Sequence, residues 1–142
     1  MRLRSNLEAL GRAAGERAET LRHFDVQSAT PSTVAHLMNQ LSISEVRQVE
    51  NYIDRVHHLE ERIQKPLLEL MAEYDQYDVD VVRIYGASDS ERVAELRRCG
   101  QSLISRIDNV GALAFRAAMA IRLVGEERRY PDLKARNLGG RP

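Results

Sequence analysis

The fold is decided by residues 63–96, IQKPLLELMAEYDQYDVDVVRIYGASDSERVAEL, which contain both a long apolar repeat and the turn that ends it. Apolar or aromatic side chains recur there at alternating steps of three and four residues. The whole repeat starts earlier in the chain and comprises Val46, Val49, Ile53, Val56, Glu60, Ile63, Leu67, Leu70, Tyr74, Tyr77, Val81 and Ile84. This spacing is typical of a helix that buries one side against a partner helix.

The repeat ends at a turn signal, Gly86-Ala87-Ser88, and a second repeat with the same spacing follows it. The members of the second repeat are Val93, Leu96, Gly100, Leu103, Ile107, Val110, Ala114, Ala117, Ile121 and Val124. We therefore predict an all-α protein built on an elongated antiparallel helical hairpin, with helices over about 43–85 and 89–125. This turn places Gly100 opposite Tyr74, where the missing side chain makes room for a ring.

The start and the continuity of the first long helix depend on two local features. Ser42 and Glu45 have the spacing of a capping box, which predicts a helix start. Pro66 lies inside the repeat and lacks the backbone N–H that a helix interior requires, so the helix either kinks or ends there. The apolar repeat keeps its phase across Pro66, which favours a kink within one helix.

The residues before the hairpin predict two further helices. A heptad repeat comprising Leu3, Leu7, Leu10, Ala14, Arg17, Leu21 and Phe24 predicts an N-terminal helix over about 3–23. Thr30 and Pro31 form a cap and a first-turn proline, so a short helix is predicted over about 32–41. The expected architecture is a three- to four-helix bundle.

Charge is distributed unevenly along the 142 residues, although the formal net charge is zero. Residues 1–24 carry five arginines against three acids, residues 43–85 carry five bases against ten acids, and residues 128–142 carry five bases against one acid. We predict a single helical domain over 1–127 and a basic, flexible tail over 128–142. Segments of opposite charge favour contact between unlike parts of neighbouring molecules.

No residue pattern predicts an active site, a cofactor or a metal centre. His57 and His58 lie in an acidic segment, but adjacent residues point in different directions on a helix and no second ligand set accompanies them. Neither a glycine-rich phosphate loop nor a nucleophile with a partner base can be identified. We therefore expect a protein that is not an enzyme and that has no small-molecule substrate.

The expected location follows from three features of the sequence. The N-terminal residues lack the apolar stretch of a signal peptide, and no apolar run is long enough to cross a membrane. The single cysteine, Cys99, cannot form an internal disulfide. These features predict a cytoplasmic or otherwise intracellular protein with no membrane partner.

Arg17 and Glu60 are the polar members of otherwise apolar repeats. One interpretation places Glu60 at the edge of its helix, where the side chain reaches water. The other is a buried pair of Glu60 with Arg17 or Arg116 that sets the register between helices. We predict Arg17 and Glu60 as this register pair.

Residues 111–121, GALAFRAAMAI, are apolar or small on nearly every side of a helix, so one partner helix does not cover them. The N-terminal helix could cover the second side within one molecule; otherwise a neighbouring subunit must, because such an exposed surface is rare on monomers. We predict both, and therefore predict self-association. Seven residues are predicted to carry self-association. They are Leu3, Leu7 and Leu10 of the N-terminal heptad repeat and Leu113, Phe115, Met119 and Leu123 of the additional apolar side of residues 111–123.

Together these features favour a non-catalytic, self-assembling structural or adaptor protein, such as a subunit of a larger particle or filament. Its expected partner is a second copy or another helical protein. The alternative is a protein that binds or packages nucleic acid with Arg-rich termini on a helical scaffold. The candidate contacts to phosphate or to an acidic partner are Arg128, Arg129, Lys134, Arg136 and Arg141.

Overall fold

Nearly every segment of the chain is helical, as the spacing of its apolar residues predicts. The computed structural model describes residues 2–137, which form six α-helices, one 3-10 helix and no β-strand. They are α1 (Arg2–His23), α2 (Pro31–Gln40), α3 (Glu45–Glu50), the 3-10 helix Ile53–His58, α4 (Glu61–Gly86), α5 (Asp89–Arg129) and α6 (Pro131–Asn137). The predicted all-α helical bundle is confirmed.

The longest helix, α5, forms the predicted hairpin with α4. The two helices are joined by Ala87 and Ser88, and both residues have extended backbone conformations. Arg62 in the first turn of α4 contacts Glu127 near the end of α5, so the two helices run antiparallel over their length. The repeat from Ile63 to Ile84 supplies the buried side of α4.

Small residues bring α1 and α5 close together. A Cβ atom built on Gly111 would lie 3.5 Å from the Cβ of Ala14 and 3.6 Å from the carbonyl oxygen of Gly11. Arg22 near the end of α1 pairs with Asp108, which comes earlier in α5 than Gly111. The two helices are therefore antiparallel, and the N-terminus of α1 lies at the same end of the bundle as the C-terminus of α5.

The predicted continuous helix over 43–85 is wrong. Between residue 43 and Glu61 the chain forms only α3 and the 3-10 helix. Leu59 and Glu60 have extended backbones that separate the 3-10 helix from α4. The break lies before Pro66, which is the sixth residue of α4. Because the helix starts so close to it, Pro66 costs a backbone hydrogen bond near a helix end rather than in the middle of a long helix.

Two tyrosines of α4 hold the connection between α2 and α3. The Tyr77 hydroxyl donates to the carbonyl oxygen of Leu41 at 2.9 Å, and the backbone N–H of Ile43 donates to the Tyr74 hydroxyl at 3.3 Å. The predicted packing of Tyr74 against Gly100 is not found, since a Cβ on Gly100 would have nothing within 4 Å. The two tyrosine hydrogen bonds satisfy backbone groups of Leu41 and Ile43 that the break between α2 and α3 leaves without helical partners.

Of the two predicted N-terminal helix caps, the one at Thr30 forms and the one at Ser42 does not. The Thr30 hydroxyl accepts from the N–H of Thr33, the Thr33 hydroxyl accepts from the N–H of Thr30, and α2 begins at Pro31 as expected. The capping box predicted from Ser42 does not form, because Ser44 is the N-cap residue of α3 and makes no side-chain cap.

At the other end of the chain, α5 continues through Gly125 to Arg129, beyond its predicted end. Within the tail predicted as flexible, Pro131–Asn137 form α6.

Candidate functional site

Four of the residues predicted to carry self-association lie inside the molecule. Leu3, Leu7 and Leu10 are fully buried, and Leu113 is nearly so. The prediction is corrected for these four side chains, which belong to the core. The N-terminal heptad repeat is covered within the chain because α1 packs against α5 and α3.

Phe115 and Met119 lie on the surface of α5, as predicted. Each has 49% of its surface exposed, although both lie in the stretch of α5 that packs on α1, and Leu123 on the next turn is partly exposed. Residues three and four apart share one side of a helix, so the three side chains line up. They form an apolar surface beside the contact between α1 and α5.

The Phe115 ring is held against the backbone of α1. A Cβ built on Gly11 would lie 2.8 Å from two carbon atoms of that ring, which is closer than any real contact. Gly11 therefore provides the space in which the ring rests. Since one side of the ring is fixed by α1, the exposed side presents a preorganised surface to a partner.

Arginines flank this apolar surface. Arg12 follows Gly11 on the exposed side of α1, and Arg116 follows Phe115 on α5. Among residues 2–137 neither arginine has an ion pair, whereas Arg122 on the same helix pairs with Glu126 at 3.3 Å. We call Phe115, Met119, Arg12 and Arg116 the α5 face; it combines apolar side chains with positive charge that has no partner in the described chain.

A second exposed apolar surface, which the sequence analysis missed, lies on α4. Leu68, Val79 and Val82 are exposed by 45%, 56% and 61%. Their spacing of eleven and three residues places them on one side of the helix, away from the buried repeat. The signal is present in the sequence as a second heptad stripe, but the stronger repeat from Ile63 to Ile84 hides it.

The second surface is acidic. Asp75 shares the heptad stripe with Leu68 and Val79, whereas Asp78 is only partly exposed and lines the crevice between α4 and α3 together with Arg47. No ion pair to Asp75 or Asp78 is present within the described range, while Asp80 on the opposite side of α4 pairs with Arg83 at 3.3 Å. We call Leu68, Val79, Val82 and Asp75 the α4 face.

The predicted register pair does not form. Arg17 donates from Nε and Nη2 to the carbonyl oxygen of Ser42, both at 3.3 Å, and so holds α1 to the chain before α3. Glu60 instead bonds Arg62 two residues further on. The helix break at Leu59 and Glu60 is the physical reason, because it moves Glu60 off the repeat that would have faced α1.

Arg62, which is partly exposed, pairs with the buried Glu127. Two hydrogen bonds, from Nη1 at 2.9 Å and Nη2 at 2.8 Å, join the guanidinium to the two carboxylate oxygens. Asn137 in α6 donates to the same carboxylate at 3.2 Å. Glu127 is only 4% exposed, so this cluster ties the start of α4 and the last helix to the end of α5.

Acidic conditions should weaken this cluster. The Arg62 guanidinium holds the pKa of the Glu127 carboxyl below its usual range, against the effect of burial, and Asn137 adds to the lowering. A lowered folded-state pKa stabilises the fold above the unfolded pKa of about 4.3, and this stability is lost as the pH falls through the folded value. Glu127→Gln should therefore melt below the wild type at pH 7, with a difference that shrinks on acidification.

Thermal unfolding between pH 7 and pH 3 measures this effect, and Glu126→Gln is the matched control. Glu126 lies one residue away in an exposed pair with Arg122, so its replacement should change stability by less than about 0.5 kcal/mol. If the melting temperature of Glu127→Gln lies below that of the wild type by the same number of degrees at every pH, the lowered pKa of Glu127 does not contribute to stability and the prediction is wrong.

The candidate phosphate contacts lie on the last two helices. Arg128 and Arg129 are exposed in the last turn of α5, and Lys134 and Arg136 are exposed on α6. Arg141 lies outside the described residues. Because α1 runs antiparallel to α5, these basic side chains are at the same end of the bundle as the basic N-terminus of α1.

Residues 2–137 contain no group of three or more His, Cys, Asp or Glu side chains that could hold a metal ion. Within the same range no helix combines the length and the apolar character needed to cross a membrane. No protein-family model, no curated protein and no solved structure matches the chain.

Proposed function

We propose that the protein is a non-catalytic structural or adaptor subunit that assembles with further copies of itself. The observation that supports this most is the α5 face, where Phe115 and Met119 are half exposed beside arginines that have no ion pair in the described chain. An adaptor role through another helical protein would use the same surface.

Burial of the α5 face supplies a driving force for association. Complete burial of a large apolar side chain contributes about 1.5–3 kcal/mol, and a half-exposed one retains about half of that. The Phe115 ring is already ordered on Gly11, so its ordering costs little when a partner binds. Further exposed apolar side chains, on α4, extend the surface that a partner could cover.

Light scattering over a concentration series tests the proposal. The wild type should exceed the chain mass of 16.2 kDa increasingly as its concentration rises. The double variant Phe115→Gln, Met119→Gln should stay near the monomer mass and keep its helix content. Tyr130→Gln is the matched control, because it removes an exposed aromatic side chain outside both faces and should assemble like the wild type. A wild type that remains monomeric throughout contradicts the proposal.

A second candidate function, binding of nucleic acid, has its own supporting observation. The antiparallel packing of α1 on α5 puts the basic N-terminus of α1 beside the basic residues of α5 and α6 at one end of the bundle. Such clustering favours binding to a phosphate backbone. It is the weaker candidate because Glu126, Glu127 and Asp132 lie among these bases.

The same light-scattering series with added duplex DNA separates the two candidates. Binding to phosphates should weaken steeply with salt. A plot of the logarithm of the binding constant against the logarithm of the salt concentration should fall with a slope of about 0.9 for each neutralised phosphate. Replacement of Arg128, Arg129, Lys134 and Arg136 by glutamine should flatten that slope while leaving self-association unchanged. Binding with no dependence on these four residues excludes the basic end as the nucleic-acid site.

A further inference from the structure

The exposed apolar surfaces of α4 and α5 differ in the sign of their charges. The α4 face carries Asp75 within its apolar stripe. The α5 face carries Arg12 and Arg116. Within residues 2–137 none of these three charged side chains has an ion pair, so each face has charge available for a partner.

Contacts between two identical faces are unfavourable. If two α4 faces met, the two Asp75 carboxylates would be brought together in a partly dry interface. Two α5 faces would likewise bring their arginines together. Like charges at such short range oppose association, whereas opposite charges favour it and set the orientation of the two partners.

We propose that the α4 face of one copy binds the α5 face of a second copy. In this contact Val79 and Val82 pack against Phe115 and Met119 while Asp75 lies near the arginines. The proposal rests on the self-association proposed above and names the two surfaces that perform it. Both surfaces consist of helical residues, so they are rigid elements that need no rearrangement to meet.

A contact between unlike faces has a consequence for the form of the assembly. Each bound pair still has one free α4 face and one free α5 face, so further copies can add at both ends. Repetition of the contact gives an open filament or, where the rotation between copies closes, a ring. The ion pairs at the rim make the assembly weaken with added salt, since they are screened over about 8–10 Å.

Mixing of two variants tests the pairing directly. The α4 variant Val79→Gln, Val82→Gln keeps an intact α5 face, and the α5 variant Phe115→Gln, Met119→Gln keeps an intact α4 face. Each variant alone should be monomeric under conditions in which the wild type assembles. An equimolar mixture should reach twice the monomer mass and stop there, because only one productive contact remains. Circular dichroism confirms that each variant is folded.

Charge reversal provides a second, independent readout. Asp75→Arg makes the α4 face basic, and Arg12→Glu, Arg116→Glu makes the α5 face acidic, so each reversed protein alone should lose assembly. In the mixture every α4 face finds an α5 face of opposite charge on the other variant. The mixture should therefore regain masses above the dimer, in contrast to the mixture of the apolar variants.

Three outcomes overturn the proposal, and one of them also overturns the proposed function. A wild type that is monomeric at every concentration removes both. A wild type that assembles while the α4 variant alone assembles equally well shows that assembly does not need the α4 face, and removes only the pairing. The pairing is also wrong if both apolar variants are monomeric alone and remain monomeric when mixed.

Discussion

Replacement of Tyr77 by alanine should lower the free energy of unfolding by about 3–5 kcal/mol, the range for truncation of a buried aromatic side chain. Tyr77 is 1% exposed and is among the largest fully buried side chains of the chain. Its ring fills the space between α4 and the connection of α2 to α3, and its hydroxyl donates to Leu41. Alanine leaves a cavity and an unsatisfied carbonyl oxygen together.

Tyr77→Phe separates the hydrogen bond from the packing of the ring. The loss should be about 1–3 kcal/mol, because the carbonyl oxygen of Leu41 then has no donor in a buried position. Tyr85→Phe is the control, since Tyr85 is exposed on the same helix and its replacement should be nearly neutral. Urea unfolding of the four proteins measures the differences. An unchanged midpoint for Tyr77→Phe shows that the hydroxyl does not anchor Leu41.

The same contact predicts a loss of stability at alkaline pH. Burial raises the pKa of the Tyr77 hydroxyl, and the neighbouring Tyr74 raises it further. A raised folded-state pKa gives stability that is fully present below the unfolded value of about 10 and is lost as the pH rises above it. Because Tyr77→Phe has no proton to lose, its stability should fall less between pH 9 and pH 11 than that of the wild type.

The hairpin could be predicted from the sequence because its determinants are local. The heptad repeat from Ile63 to Ile84, the turn at Ala87 and Ser88, and the second repeat on α5 each depend on neighbouring residues only. A helix that hides one apolar side must find a partner, and a short turn supplies the adjacent one. The structure confirms the all-α bundle on this basis.

The break before α4 could not be predicted from periodicity. Apolar residues keep the heptad phase from Val46 through Val56, although the chain there forms a short helix and a 3-10 turn. The chain just before this segment is held by two tyrosine hydroxyls, which bond Leu41 and Ile43 more than thirty residues earlier in the chain, and α3 itself packs on α1. Contacts over such separations depend on the tertiary fold, which a repeat does not encode.

The candidate surface could be predicted only in part. Residues 111–121 carry more apolar surface than one partner helix can cover, and Phe115 and Met119 are exposed. The assignment of Leu3, Leu7 and Leu10 is wrong because an apolar repeat requires a partner but does not say whether that partner belongs to the same chain. On α4, Asp75 within the second stripe makes that stripe resemble an ordinary solvated surface.

Replacement of Gly111 by leucine should destabilise the protein by about 1–3 kcal/mol, since it overfills the contact between α1 and α5. A Cβ at this position has ordinary contacts with Ala14 and the backbone of Gly11, but the atoms beyond it have no free space between two helices packed this closely. Gly111→Ala adds only the Cβ and improves helix propensity by about 0.5–1 kcal/mol, so it should be neutral or stabilising.

Gly125→Leu is the matched control for the two Gly111 variants, because Gly125 lies on the same helix and a Cβ built on it would have nothing within 4 Å. It should stabilise α5 through helix propensity alone, by up to about 1 kcal/mol. Thermal and urea unfolding of the three variants distinguish close packing from propensity. If Gly111→Leu is as stable as Gly125→Leu, α1 can move away from α5 at no cost, and Phe115 has no fixed support on Gly11. The α5 face would then have to be ordered by its partner, and assembly would be weaker than a preorganised surface allows.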